Sequence, residues 1–388
     1  MKILYYVGFG NWWGAYPPDI LDHEEGMTVG GGENCALRTA AGLVGLGHEV
    51  TFCSVGLPGT WRGVKFVPQS RYFTLLANER WDAVVSWSVS RVLRGVLGTA
   101  GRVLVQQLND LIFEPGWFNY TDVVSAASET HSRYLRSLVP DTWAQHCRWV
   151  PVSNGVEANY FPEEPPSIQD RPLWVGYWSS PDRGLHHLLE AWPRIHKAVP
   201  EARLRIYYQV RKYIASIMAG TAGGVWGRAV YLASVLQSRL AKLEVQGVDL
   251  IDAIPRKALA KEQVQCRVMT YPCDPQGFTE GFGQAVPESM AAGCLPVVRC
   301  TDAFAELWAS HCWELQEHPT SDAFLDEIAD KTIRGLRGEQ PADVPGPAER
   351  RAHALAWSWE RSAKAVERAI EQAIERRRER ESEAEARL

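Results

Sequence analysis

Two glutamates eight positions apart, Glu280 and Glu288, bracket the glycine loop Gly281-Phe282-Gly283 in the stretch EGFGQAVPESMAAG. A carboxylate in such a loop can face a reacting sugar. A second one, one turn inside the following helix, can accept hydrogen bonds from ribose hydroxyls, as acids do in nucleotide-binding folds. Backbone amides of the glycines between them point where an anion would sit. Acids at a helix start also simply complement its dipole, and the stretch alone leaves both readings open.

Two further stretches carry phosphate chemistry. In YWSSPDRGLHHLLEAW, Ser179 or Ser180 is expected to cap a helix that Pro181 begins, with Arg183 in its first turn. An Arg there opposes the helix dipole at about 0.3–1 kcal/mol. A bound phosphate offsets that cost by bidentate pairing; the plain alternative is pairing with Asp182 or water. In TVGGGENCALR, Gly30, Gly31 and Gly32 precede a helix expected from about Glu33. Glycines there let backbone amides approach an anion, and a simple turn fixing helix entry fits equally.

Several site types are excluded. GFGNWWG after the first strand has Trp13 where a dinucleotide fingerprint needs its third glycine. Strand two ends in Phe52-Cys53-Ser54-Val55 without the required acid, and the first helix starts some twenty residues too late. No GxxxxGK[ST] occurs, so a P-loop is absent. The eight cysteines form no CxxC pair and several sit in apolar runs such as VTFCSV, which reads as buried thiols in a reducing compartment. A net charge of −5 gives no global electrostatic case for nucleic acid. Most of the sixteen Trp are expected in the core.

The elements that must position these residues alternate. Strand candidates are KILYYVG, HEVTFCSV, GVKFVP, WDAVVSW, RVLVQQL, DVVSAAS and CRWVPVS, separated by helical stretches such as ENCALRTAAGLVGLG. A proline-rich linker, YFPEEPPSIQDRP (160–172), interrupts the pattern. Alternation then resumes with LWVGYWS, ARLRIYYQV, VDLIDAI, CRVMTYP and LPVVRC. Strands alternating with helices imply parallel sheets covered on both faces, here two doubly wound units in a chain of 388 residues. A helix from about 348 onward ends in a charged tail. MKILYYVGFG is too short and glycine-ended for a signal peptide, so a cytoplasmic protein is expected. The apolar stretch 214–236, interrupted by Arg228 and four glycines, reads as a soluble helical hairpin, with a membrane-surface or acceptor-facing helix as the alternative.

The ensemble resembles the retaining glycosyltransferases of family 4. The match is specific at Glu280-Gly-Phe-Gly followed by Glu288-Ser-Met-Ala-Ala-Gly, the family's glutamate, seven residues, glutamate signature. It extends to Gly31-Gly32-Glu33, Pro151-Val-Ser-Asn-Gly-Val156, Asp182-Arg183-Gly184 and Trp357-Ser-Trp359-Glu360-Arg361. The resemblance implies an α/β protein of GT-B fold: two facing Rossmann-like doubly wound parallel-sheet domains. These would span 1–165, joined by the C-terminal helix 348–388 crossing back, and 170–345, the donor-binding domain. It implies sugar transfer from a nucleotide-diphosphate donor with retention. The expected donor is a UDP- or GDP-sugar, and the acceptor a small molecule, a glycan or a lipid-linked species. No other cofactor is implied.

By position, the resemblance puts Glu280 on the donor sugar and Glu288 on the ribose. Gly31, Gly32 and Arg183 fall on the diphosphate, with Ser179, Ser180, Gly281, Phe282 and Gly283 around the donor. Ala253 to Pro255, centred on Ile254, lie where the family reads the base. The family usually has Arg where this chain has Tyr177 or Trp178, so one of two diphosphate cations is missing. It often has His where Val105-Gln106-Gln107-Leu108-Asn109-Asp110 stands, so Gln107, Asn109 and Asp110 are the candidate replacements, with Asp110 as a base toward the acceptor. Asn11, Trp12 and Trp13 would line the acceptor side. No DxD is present (Asp249 and Asp252 form DxxD), and metal-independent catalysis is expected. His131 reads as a surface helix residue. A sugar-nucleotide epimerase or phosphorylase of the same fold, and a non-catalytic nucleotide-sugar-binding protein, are the competing readings.

Overall fold

A computed structural model describes residues 1–8, 15–96, 101–105, 116–220, 227–243, 246–274 and 277–387. Asn11, Trp12, Trp13, Gln107, Asn109 and Asp110 lie outside the described residues.

Runs of Val, Ile and aromatic residues form fourteen strands among the described residues. The first eight are β1 (Lys2–Val7), β2 (Glu49–Ser54), β3 (Gly59–Trp61), β4 (Val64–Pro68), β5 (Ala83–Trp87), β6 (Gly101–Val105), β7 (Val123–Ala126) and β8 (Arg148–Pro151). They make one sheet of order β3-β4-β2-β1-β5-β6-β7-β8, parallel except for the edge pair β3–β4. The remaining six are β9 (Trp174–Tyr177), β10 (Arg203–Ile206), β11 (Val248–Leu250), β12 (Val268–Tyr271), β13 (Leu295–Val298) and β14 (Trp313–Glu314). They form a fully parallel sheet of order β11-β10-β9-β12-β13-β14. Strands such as AVVSW of β5 and VMTY of β12 are buried at every position, as both-face coverage of a parallel sheet requires. The short strands β3 and β14 had no counterpart in the sequence reading.

The helices are α1 (Gly31–Gly45), α2 (Tyr72–Asn78), α3 (Glu129–Ser137), α4 (Asp141–Ala144), α5 (Leu185–Ala198), α6 (Val210–Met218), α7 (Gly227–Leu243), α8 (Arg256–Gln265), α9 (Ala285–Ala291), α10 (Ala303–Leu307), α11 (Asp322–Leu336), α12 (Pro347–Leu355) and α13 (Trp359–Glu385). The final helical region is thus two helices, α12 and α13. Ser358 caps α13 by accepting from the Arg361 amide at 3.2 Å. The face of α13 made by Trp359, Ala363, Val366, Ile370 and Ala373 packs into the core of the first sheet. Val156, in the segment before the linker, bridges Ser358, and its amide donates to the Trp357 carbonyl at 2.6 Å. Two motifs separated by two hundred residues therefore meet where the chain passes between the two sheets.

The apolar stretch 214–236 folds as a hairpin of α6 and α7, whose Ile214, Ile217, Leu232, Ala233 and Leu236 are buried. Among the described residues, no helix is long and apolar enough to cross a membrane. Trp87, Trp117, Trp192 and Trp308 are fully buried core residues. None of the eight cysteines is in a disulfide, and seven are buried.

Candidate functional site

In each sheet the strand order reverses beside its first strand: between β1 and β5 in one, between β9 and β12 in the other. Open parallel sheets bind ligands at that reversal, beyond the carboxyl ends of the strands. Glu280 reaches it on the loop after β12, and Arg183 on the loop after β9.

The Glu280 side chain is only 8% exposed, and its Oε1 accepts from both Arg183 Nη1 and the Tyr271 hydroxyl. Arg183 also donates to the Thr279 carbonyl and has Asp182 3.7 Å from its Nε. Burial works against the Arg183 charge, but Glu280, Tyr271 and Asp182 outweigh it and raise its pKa. Burial, reinforced by Glu280, pushes the Tyr271 phenol up as well, so it stays a neutral donor. Both of these hydrogen bonds land on Oε1.

The local backbone differs from the sequence expectation on the Arg183 side. Helix α5 starts at Leu185, not Pro181, and Gly184 rather than Ser179 or Ser180 occupies the N-cap. Gly184 sits at φ +90°, and a Cβ there would lie 1.9 Å from the Pro272 carbonyl oxygen. That contact ends the turn early, so Arg183 stands before the helix and the dipole cost does not arise. Ser179 Oγ instead lies 2.8 Å from the Tyr271 hydroxyl, and Ser180 Oγ bonds Asp182. Tyr177 and Trp178 are buried; the Tyr177 hydroxyl donates to the Ser180 carbonyl at 2.7 Å, and Trp178 Nε1 to Ala285 O at 3.0 Å.

The glycine loop is tightly seated. Gly283 has φ +75°, and a Cβ there would lie 1.7 Å from Phe304 Cε1. Phe282 turns into the core, edge-on to Trp308 and Trp357. Gly281 faces His131, which is fully buried and stacked on Phe278, not on the surface as expected. Gly281 has no side chain to hold the ring away, and sequence alone does not report that distant contact. Asp302 was not anticipated: its Oδ2 accepts from the Thr279 amide (2.7 Å), the Thr279 hydroxyl (3.1 Å) and the Glu280 amide (3.1 Å). It follows β13, the strand beside β12, and that adjacency was the available signal.

Glu288 lies in the first turn of α9, inside the helix after the glycine loop as expected, with Arg256 Nη1 3.5 Å from its Oε1 and Gln263 Nε2 3.3 Å from its Oε2. Helix α1 begins at Gly31, two residues earlier than expected, with Gly30 as its N-cap. Gly31 is exposed and Gly32 half-buried, and a Cβ on Gly31 would lie 3.8 Å from Arg256 Nη2. Glu288, Arg256, Gln263, Asn34 and Arg38 line a pocket between the two sheets' units, about 310 Å³ counting its open mouth. Ile254 is half-buried beside it, one residue before Pro255, the N-cap of α8. The units also touch through Glu306, which accepts from the amides of Glu129 (3.3 Å) and Thr130 (2.7 Å), and through Glu24 with Lys257 (2.7 Å) and Lys261 (2.6 Å).

One cluster has metal-ligand spacing. His186, His187 and Asp274 place their ligand atoms within 4.8 Å of one another. Arg228 Nη2 sits 2.5 Å from the same Asp274 oxygen that faces both histidines, so a guanidinium already occupies the place of a cation.

No protein-family model and no curated protein sequence matches the chain. Its fold is nonetheless that of solved GT-B proteins. AviGT4, a glycosyltransferase involved in avilamycin A biosynthesis, superposes with a TM-score of 0.62 at 16% identity, over 96% of this chain and 98% of that one. Sucrose-phosphate synthase from Thermosynechococcus elongatus gives 0.64 at 13% identity, over 96% and 99%. The catalytic domain of starch synthase IV from Arabidopsis thaliana, bound to ADP and acarbose, gives 0.65 at 10% identity, over 97% and 99%. The chain has the GT-B architecture of two parallel-sheet Rossmann-like domains.

Proposed function

We propose that this protein is a retaining, metal-independent glycosyltransferase that moves a hexosyl or related sugar from a nucleotide-diphosphate donor. The observation that carries the reading is the Glu280–Arg183 pair on the loops at the strand reversal of the second sheet. Neighbours of this fold include HepE from Anabaena, solved with UDP-glucose, which supports a UDP-sugar as the first donor to test.

In the transfer, the bond between the anomeric carbon and the diphosphate oxygen breaks, and its electron pair leaves with the diphosphate. The acceptor hydroxyl oxygen forms the new bond on the face the diphosphate leaves, and the hydroxyl proton passes to the departing phosphate oxygen. The sugar becomes oxocarbenium-like while charge builds on the diphosphate. Arg183 and the amides of Gly31 and Gly32 meet that charge. Glu280 Oε2 meets the sugar, and Glu288 takes the ribose hydroxyls. Ser179 and Ser180 support this arrangement through Tyr271 and Asp182. Asn109 and Asp110, with Asn11, Trp12 and Trp13, remain assigned to the acceptor side from sequence.

The test is a thermal-shift screen against UDP-, GDP-, ADP- and dTDP-sugars, followed by transfer assays with wild type and Glu280→Ala in the presence of EDTA. Stabilisation by one donor, EDTA-resistant transfer, and loss of transfer in Glu280→Ala with donor binding kept are the expected results. No stabilisation by any donor removes the donor assignment. Donor binding without turnover by wild type favours a nucleotide-sugar-binding protein. Loss of activity in EDTA overturns metal independence.

A further inference from the structure

The interdomain pocket holds a cation that neither the glutamate spacing nor the glycine loops announce. Two arginines, Arg38 and Arg256, line the pocket, Arg183 stands on the loop after β9, and their partners differ. Arg38 is engaged by Glu157 and the Tyr160 hydroxyl. Arg183 is engaged by Glu280, the Thr279 carbonyl and Asp182. Arg256 has one ion-pair partner among the described residues, Glu288, at 3.5 Å, well beyond the roughly 2.8 Å of a seated charge-assisted hydrogen bond. Its guanidinium is a fifth exposed, and the other end, Nη2, points across the pocket toward Gly31. Arg256 also bears electrostatically on Glu33 and Cys35 of α1, so its charge is felt on the far side of the cleft.

Resting on the donor reading above, we infer that Arg256 is the second diphosphate cation of this protein. A donor whose ribose hydroxyls bond Glu288 brings its phosphates within reach of Arg256, which lies 3.5 Å from that carboxylate and faces Gly31 across the pocket. The loose contact with Glu288 lets the guanidinium turn to a phosphate without leaving a buried carboxylate stranded, because Gln263 and the ribose still serve Glu288. A second cation also matches the charge that grows on the leaving diphosphate as the sugar departs. Tyr177 and Trp178, buried beneath the β9 loop, cannot supply that charge.

The experiment is isothermal titration of wild type, Arg256→Ala and Arg256→Lys with three probes: the nucleoside, the monophosphate and the diphosphate of whichever base wild type binds among U, G, A and T. Loss of one charge-assisted contact predicts a roughly 10- to 100-fold weaker diphosphate Kd in Arg256→Ala. The nucleoside Kd should stay within about twofold, and Arg256→Lys should recover most of the loss. Equal losses on nucleoside and diphosphate would mean that Arg256 acts only by holding Glu288 or the fold, and would overturn the inference. So would an unchanged diphosphate Kd. If Arg256→Ala does not fold, a Lys variant that binds diphosphate no better than it binds nucleoside, relative to wild type, overturns it equally. Wild type binding no nucleoside diphosphate at all would remove the donor reading itself, a result distinct from wild type binding tightly and Arg256→Ala binding alike.

Discussion

The Glu280–Arg183 pair can be weighed by a double-mutant cycle. Replacing Arg183 by Met leaves the Glu280 carboxylate, 8% exposed, with the Tyr271 hydroxyl as the remaining Oε1 donor among the described residues, and removes one donor from the Thr279 carbonyl. Stranding a buried charge costs about 3–5 kcal/mol. Arg183 is about a quarter exposed, so water enters its place and the lower end, about 3 kcal/mol, applies. Glu280→Gln keeps a hydrogen-bonding group beside Tyr271 and leaves Arg183 with Thr279, Asp182 and solvent, at about 1 kcal/mol. The double variant buries no charge, so its cost should fall short of the sum by about 2 kcal/mol. Urea unfolding followed by Trp fluorescence measures this; the signal includes Trp178, buried just after β9 and bonded to Ala285 of α9. Additive costs, agreeing within about 0.5 kcal/mol, would refute the reasoning and make the pair a pocket-facing contact without mutual dependence.

Gly283→Ala must place a Cβ where Phe304 stands and hold φ at +75°; the left-handed conformation alone costs about 1–2 kcal/mol. A fall in thermal midpoint together with weakened donor binding is expected, and a melt unchanged from wild type would contradict the placement of the loop. His186 is held neutral: burial first, then His187, lowers its pKa from 6.5 to about 3, with Asp274 opposing. Because the unfolded chain binds this proton near pH 6.5 and the folded one near 3, the stability contribution is complete above 6.5 and is lost as pH falls toward 3. The slope from this group is at most about 1.4 kcal/mol per pH unit. His186→Gln should therefore flatten the loss of stability between pH 6 and 4, and a parallel urea-midpoint profile would count against it.

What could be read in advance was what neighbouring residues decide. The strands CRVMTYP and LPVVRC, the helix at 285–291 with Pro287 in its first half, and Gly293 at φ +76° ending it all follow local rules. The positions of Glu280 in a loop and Glu288 one turn into a helix came from the same rules. What escaped was set by contacts distant in sequence. Arg183 sits in a turn because the Pro272 carbonyl leaves room for nothing but Gly184. His131 is buried because Gly281 and Phe278 close over it. Asp302 reaches Glu280 only because β13 pairs with β12, and Arg256 reaches Gly31 only because two sheets face each other.

These distant contacts also explain why the loop around Glu280 is stiff. Asp302 fixes the amides of Thr279 and Glu280 from one side, itself at the left-handed φ of +52°, and Ala303 donates back to the Glu280 carbonyl at 3.2 Å. Gly283 and Phe304 close the other side. The carboxylate is then oriented by two donors on one oxygen. A group held at both its backbone and its side chain is suited to steady a charge developing beside it, since little reorganisation is left to do when the charge appears. It is poorly suited to swing between proton donor and acceptor. In the proposed transfer, orientation rather than proton shuttling is accordingly the work this geometry suits Glu280 for.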